Sequence, residues 1–397
     1  MRLHRNTSEA VIQSLQMIFA EKRYADKVIE KVLKQNPKWG SRDRRFIAET
    51  TYDIVRWYRL LKNITEAKGD DYWKLLAGWC ILHEVDLPEW TEFKGVSVAK
   101  VMDAEKKMQK TRKIVESIPD WLDELGEKEL GILWPKELRA LNEEARVVLR
   151  VNTLKCSRKE LQAMLREEDV ETYTLPEYPE ALVLNERQNV FTTTAFKDGL
   201  FEVQDAASQH IAPVLQVKTG MRVIDACAGA GGKTLHLAAI MENKGRIIAM
   251  DIEQWKLDEL QKRARRAGVG NMEARLIESS KSVKRLENSA DRLLLDVPCS
   301  GLGVLKRNPD AKWKLSPEFI DKVKELQQHI LNDYCLMVKP GGMMAYSTCS
   351  ILPSENERQV AKFISPRAGQ FELVGERHYW PSEGFDGFYA ALIRRIG

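Results

Sequence analysis

The 397-residue chain has no apolar run approaching the length of a membrane span, so it offers no candidate transmembrane helix. Cysteine is sparse and scattered. The six thiols stand at positions 80, 156, 227, 299, 335 and 349, with no CxxC pair. That excludes a disulfide framework and a local zinc motif, and it suits reduced thiols in a cytoplasmic protein. No sequence repeat and no low-complexity tract interrupts the chain. An excess of one charge is also missing. Lys and Arg total 62 against 58 Asp and Glu, a net of +4. This permits a nucleic-acid partner without demanding one, because a surface patch matters more than the total. Met1–Arg23 carries Glu9 and Glu21 around a broken apolar run, which reads as an amphipathic helix and not a signal peptide.

What is present describes a globular protein of two or three domains, 44% hydrophobic and 30% charged. Residues 1–140 read as helices. Val11, Leu15, Ile18 and Phe19 follow helical spacing, as do Val28, Ile29 and Val32, then Phe46, Ile54, Val55 and Leu60. Most of the tryptophans lie between Trp39 and Trp134. Taken singly, each is expected in a helical core; taken with the basic edges, the region could dock RNA. Residues 145–210 change pattern. Ala145–Val151, Val170–Leu175, Ala181–Leu184 and Gly199–Val203 are β-rich, with a helix over Arg158–Glu168. This small α+β segment is expected to present Arg150 and Asn152 to a neighbouring groove.

Residues 211–397 alternate strand and helix, which implies a doubly wound, mostly parallel sheet. Expected strands are Met221–Ala226, Ile247–Met250, Met272–Ile277, Arg292–Leu295, Met343–Tyr346, Phe371–Val374 and Phe388–Arg394. Helices are expected over Gln254–Ala267, stopped by Gly268, and Pro317–Met337, stopped by Pro340-Gly341-Gly342. Such sheets bind ligands beyond the carboxyl ends of their strands. Asp225, Asp251, Glu278, Asp296, Cys299 and Cys349 stand at those ends.

The first strand runs into Cys227-Ala228-Gly229-Ala230-Gly231-Gly232-Lys233, and Lys233 to Met241 is helical in pattern. Glycines allow close backbone approach, and a helix start presents unpaired N–H groups. Three ligands compete for such a loop. A P-loop needs a glycine where Cys227 stands. A nicotinamide site needs a third glycine where Thr234 stands. S-adenosylmethionine needs a close-approach loop and an acid for its ribose at the end of the second strand, and Asp251 is placed there.

Two cysteines follow later strands, in Asp296-Val297-Pro298-Cys299-Ser300-Gly301 and Ser347-Thr348-Cys349-Ser350. Either alone is most simply a small buried hydrophobe. Together, beside a methyl donor, they suggest thiol chemistry on a pyrimidine. C5 is a poor nucleophile until a thiolate adds at C6. Asp296 could then hydrogen-bond N3 and the exocyclic amine.

These stretches resemble the RNA cytosine-C5 methyltransferases of the RsmB/NSUN family: DACAGAGGKT, DVPCSGLG and STCS, in this order. The likeness extends to RVNTLK, VQDAASQ and GFDGFYAALIRR, and SRDRRFIAETTYDIVRWY resembles the NusB-like domain of the bacterial RsmB branch. The resemblance implies a class I methyltransferase (Rossmann-like) fold after a small RNA-binding subdomain and an all-α NusB-like domain. It implies Cys349 as nucleophile, Cys299 in release of the methylated base, and Asp296 at the base. It implies cofactor contacts at Cys227, Ala228, Gly229, Ala230, Gly231, Gly232, Lys233, Asp251, Glu278 and Asp296. The chain departs from the family pattern at Ala230, where proline is usual, and at Glu278, where aspartate is usual. The expected cofactor is S-adenosylmethionine and the expected partner is RNA, ribosomal RNA first, with no metal, no membrane and a monomeric chain. A tRNA methyltransferase and a catalytically silent assembly factor are the alternatives. Lys306-Arg307-Asn308-Pro309 and Lys312-Trp313-Lys314 are candidate RNA contacts, whereas Lys262–Arg266 reads first as a solvated helix face.

Overall fold

The computed structural model describes residues 2–397, which divide into two compact units. One runs to Glu143 and takes in Leu305–Pro317; the other holds Glu144–Val304 and Glu318–Gly397.

The first unit is helical. Its main helices are Arg5–Phe19, Ala25–Gln35, Ser41–Arg56, Tyr58–Ile64, Tyr72–Leu82 and Val98–Met108. Each turns an apolar stripe inward. Val11, Leu15, Val28, Val32, Ile47, Ile54, Leu61 and Leu76 are all fully or almost fully buried in one core. Leu305–Pro317 is part of this unit. Trp313 stacks edge-on against Tyr58 at 5.4 Å and donates its indole N–H to the Val55 carbonyl at 2.7 Å. Lys306 is buried against Glu143, and Lys312 is buried with its amine nitrogen donating to Asn142. The Ala25 amide donates to Asp310 at 3.1 Å. These lysines are therefore packing residues of the helical unit, and the expectation that Lys306 and Lys312 contact RNA is overturned.

The second unit carries two sheets. In the smaller, β1 (Val148–Val151), β2 (Thr172–Leu175), β3 (Tyr178–Leu184) and β4 (Phe201–Val203) form an antiparallel sheet in the order β2-β3-β1-β4. Helix Arg158–Glu167 begins at a Ser157–Glu160 capping box and packs Leu161 and Leu165 against Leu149 and Leu182.

The larger sheet has seven strands: β5 (Arg222–Asp225), β6 (Arg246–Asp251), β7 (Met272–Leu276), β8 (Ala290–Asp296), β9 (Val338–Thr348), β10 (Phe371–Tyr379) and β11 (Phe388–Arg395). Their order is β10-β11-β9-β8-β5-β6-β7. β5 to β9 are parallel, while β11 and β10 run antiparallel at one edge. Ile224, Ile248, Leu293 and Met344 are solvent-free because helices cover the sheet. The chain winds from β5 outward to β6 and β7, then crosses to β8 on the other side. The crevice at this reversal lies between the ends of β5 and β8. One strand departs from expectation. Pro340-Gly341-Gly342 does not precede β9 but lies inside it, where pairing with β8 jumps from Val338 to Met343 and Gly341 takes φ +75°.

Candidate active site

The loop after β5 owes its path to two left-handed glycines, Gly229 at φ +53° and Gly231 at φ +89°. Gly231 is also fixed by packing, since a Cβ there would stand 2.7 Å from Leu260 Cγ. Asp251, at the end of β6, accepts the Gly229 N–H at 2.9 Å and the Glu253 N–H at 3.0 Å. Beyond it, Ile252, Ile277, Glu278 and Tyr334 are among the residues lining a cavity of about 550 Å³.

At the base of the loop, Asp225 is buried. One carboxylate oxygen accepts the Thr234 hydroxyl at 2.7 Å; the other has no side-chain partner and at most a weak backbone bond from Cys227. Burial pushes its pKa up to about 7, against the Thr234 bond, and the nearby Asp296 charge adds to the rise. Burial, with Asp225, Asp296 and Asp251 around it, pushes the Cys227 thiol well up, so Cys227 stays protonated. Lys233 reaches Asp296 at 2.6 Å. Burial opposes its charge, but the Asp296 carboxylate outweighs that and holds its pKa above the ordinary lysine value.

β8 and β9 pair in register, Asp296 beside Ser347. The Ser347 hydroxyl donates to Asp296 at 2.9 Å. This register brings the following loops side by side, and Cys299 Sγ lies 3.1 Å from Cys349 Sγ. The bond to Cys349 and then burial push the Cys299 thiol well above its ordinary pKa. Either sulfur can be the donor in this contact.

This geometry meets the comparisons with known proteins. The family model described as 16S rRNA methyltransferase RsmB/F matches residues 212–394, and that of the RsmF/B-like ferredoxin-like domain matches residues 118–191. The chain is 32% identical to the "Probable ribosomal RNA small subunit methyltransferase B" of Synechocystis sp., covering 91% of this chain and 87% of that protein. This chain belongs to the RsmB/F methyltransferase family. Ribosomal RNA small subunit methyltransferase B of Klebsiella pneumoniae is 36% identical over 70% of this chain and 66% of its own length. The crystal structure of PH0851 superposes over the whole of both chains with a TM-score of 0.84 at 26% identity. NSun6 from Pyrococcus horikoshii, solved with SFG, shares the fold over 71% of this chain, with a TM-score of 0.65 and 23% identity.

The candidate residues gather at one crevice, but three readings of the sequence change. Arg150 is buried, not offered to a groove. Its guanidinium donates to Gln204 and, at 2.5 Å, to the Gly232 carbonyl. Asn152 donates to the Gly199 and Ala267 carbonyls, both at 2.8 Å. Both residues tie the small sheet to the RsmB/F methyltransferase core. The basic run at 262–266 divides. Lys262 and Arg265 are exposed, as a solvated face requires, but Arg263 pairs with Glu202 at 2.9 Å and donates to the Ala230 carbonyl at 2.7 Å. That bond braces the loop at the position where the family's proline is absent.

Sequence reasoning missed Asp225 as more than a strand end, and it missed Glu355 altogether. Glu355 is wholly buried and bonds to Ser300 and Ser350, the residues next to the two cysteines. Its only sequence signal is an acid shortly after Ser350.

Proposed function

We propose that this chain transfers a methyl group to C5 of a cytosine in RNA, with 16S ribosomal RNA as the target class. The observation that carries the proposal is the contact of two thiols, Cys299 and Cys349, at the ends of adjacent strands beside the β5–β8 crevice.

The residues of the crevice fit S-adenosylmethionine. Asp225 offers a buried acceptor oxygen with no side-chain partner, suited to an ammonium group. Gly229 and Gly231 leave a cradle free of side chains. Asp251 is placed for the ribose hydroxyls, and Ile252, Ile277 and Glu278 line a cavity suited to an adenine. When bound, S-adenosylmethionine supplies an electrophilic methyl group.

The chain's own residues prepare the base. The Cys349 sulfur adds to C6, and the electron pair of the C5–C6 bond moves onto C5 and toward N3. Asp296 accepts from the exocyclic amine, and Lys233, held at 2.6 Å, supplies positive charge where the ring becomes electron-rich. Ser347 fixes the other Asp296 oxygen. The Cys349 thiol proton passes to solvent as the S–C6 bond forms, and Cys299, in contact with that sulfur, can hydrogen-bond it on addition and again on departure. After methyl transfer a water molecule takes the C5 proton, the C5–H electron pair re-forms the C5–C6 double bond, and the Cys349 sulfur departs with the C6–S electron pair.

The test is a methyl-transfer assay on rRNA and tRNA, with bisulfite sequencing of the product. Cys349→Ala is expected to abolish turnover. Cys299→Ala is expected to accumulate RNA covalently attached through Cys349, visible as a denaturant-stable adduct. Full turnover by Cys349→Ala overturns the nucleophile; methylation of tRNA alone overturns the target class.

A further inference from the structure

Neither cysteine loop is held by the sheet alone. Cys299 stands three residues beyond Asp296, the last residue of β8, and Cys349 follows Thr348, the last residue of β9. Two buried carboxylate oxygens join the loops. Glu355 Oε2 accepts the Ser300 N–H at 2.8 Å and the Gln327 amide at 3.0 Å. Glu355 Oε1 accepts the Ser300 hydroxyl at 2.5 Å and the Ser350 hydroxyl at 2.6 Å. The Glu355 backbone is fixed as well, because its carbonyl accepts the Tyr346 hydroxyl at 2.6 Å. Gln327 donates also to the Pro298 carbonyl at 3.0 Å, so the helix Pro317–Tyr334 joins the same network.

We propose that Glu355 is a positioning residue for the methyl-transfer reaction: one side chain, bonded to the neighbour of each cysteine, sets the separation of Cys299 and Cys349. Glu355 touches neither sulfur. It works through Ser300 and Ser350, which follow Cys299 and Cys349 directly in the chain. The proposal rests on the reading of these two cysteines given above.

Reach, not charge, is the property that matters. All four side-chain bonds come from neutral donors. A glutamine can keep them, with its oxygen toward the Ser300 N–H and Gln327 and its amide toward hydroxyls that rotate to accept. An aspartate keeps the charge but shortens the arm by about 1.5 Å, so it cannot hold both serines. A misplacement of that order at reacting atoms lowers a rate by about 100-fold. Glu355→Gln is therefore expected to stay within about tenfold of wild-type kcat, and Glu355→Asp to fall about 100-fold with KM for RNA unchanged.

Activity alone would not separate this from the role of the cysteines. The second readout is the rate of bridging by dibromobimane, which becomes fluorescent on joining two thiols and needs no methyl transfer. Cys299→Ala in the full chain is the control that removes the pair. Bridging is expected to be near wild type in Glu355→Gln and slowed in Glu355→Asp, with melting temperature checked for both. Wild-type bridging in a folded Glu355→Asp overturns the proposal, and so does an order of activity in which Asp exceeds Gln. If Glu355→Asp does not fold, Ser300→Ala and Ser350→Ala replace it; each removes one tie and is expected to slow bridging and kcat together, and wild-type values in both overturn the proposal. The bridging result stands even if Cys349→Ala retains turnover, so the two readings fail separately.

Discussion

Asp225 shows how one buried side chain sets a pH response. Its pKa in the folded chain, about 7, lies above that of an unfolded aspartate, about 3.9. Between those values the folded chain binds the proton and the unfolded chain does not. Stability therefore falls as pH rises through this window and levels off above it. Affinity for an ammonium-bearing cofactor should do the opposite, rising as Asp225 ionises and reaching a plateau above pH 7. Asp225→Asn is expected to flatten both curves and weaken binding, as urea titrations and calorimetry across this range would show. Gly231 offers a second test. Alanine there meets a left-handed backbone and Leu260 together, so Gly231→Ala is expected to lose about 2 kcal/mol of stability and most cofactor affinity. Much of the candidate site was legible because it is local: glycines after a buried strand, an acid at the next strand end, and a cysteine within three residues of the end of each of two later strands. Arg263 was not, because basic residues on a helix look alike from sequence. Only the fold shows that Arg263 reaches Ala230, while Lys262 faces solvent.

The strands and helices of the second unit follow their hydrophobic patterns closely, and helix Gln254–Ala267 ends at Gly268 in the left-handed conformation, as expected. β9 differs because a Pro-Gly-Gly turn can be bulged out of a strand that resumes pairing beyond it. Leu305–Pro317 differs for another reason. Its lysines advertise a surface, yet Lys306 and Lys312 are buried in the helical unit. Periodicity carries no sign of a segment that packs so far from its chain neighbours. Trp313→Ala should destabilise this unit by about 2 kcal/mol, through lost packing and an unmet Val55 carbonyl, read as an earlier melting transition. Burial, and then the Arg56 charge, hold the Lys312 pKa well down. Lys312→Met is accordingly expected to raise stability at neutral pH, because burial penalises a charged amine in the folded chain and not in the unfolded one.

For the molecule as a whole, the electrostatics of RNA capture belong to surfaces and not to the net charge. On the helical unit, Arg42 and Arg45 are exposed and line a groove of about 440 Å³ with Phe46 and Trp79. Arg42→Glu with Arg45→Glu is expected to weaken RNA binding and to reduce the slope of log affinity against log salt by about 1 for each phosphate no longer neutralised. An unchanged slope in filter-binding titrations would place the RNA elsewhere.

The packing of Leu305–Pro317 also bears on the order in which the protein is made. Residues up to Glu143 are translated before the second unit, but Trp313 and the two buried lysines follow Glu143 only after most of that unit. At ordinary elongation rates the gap is on the order of 10 s. Throughout that interval the nascent unit exposes the apolar seat of Trp313 and holds Glu143 and Asn142 without their lysines. The helical unit thus stays incomplete until translation has passed the loop of Cys299, and it is completed by the segment that directly follows that loop.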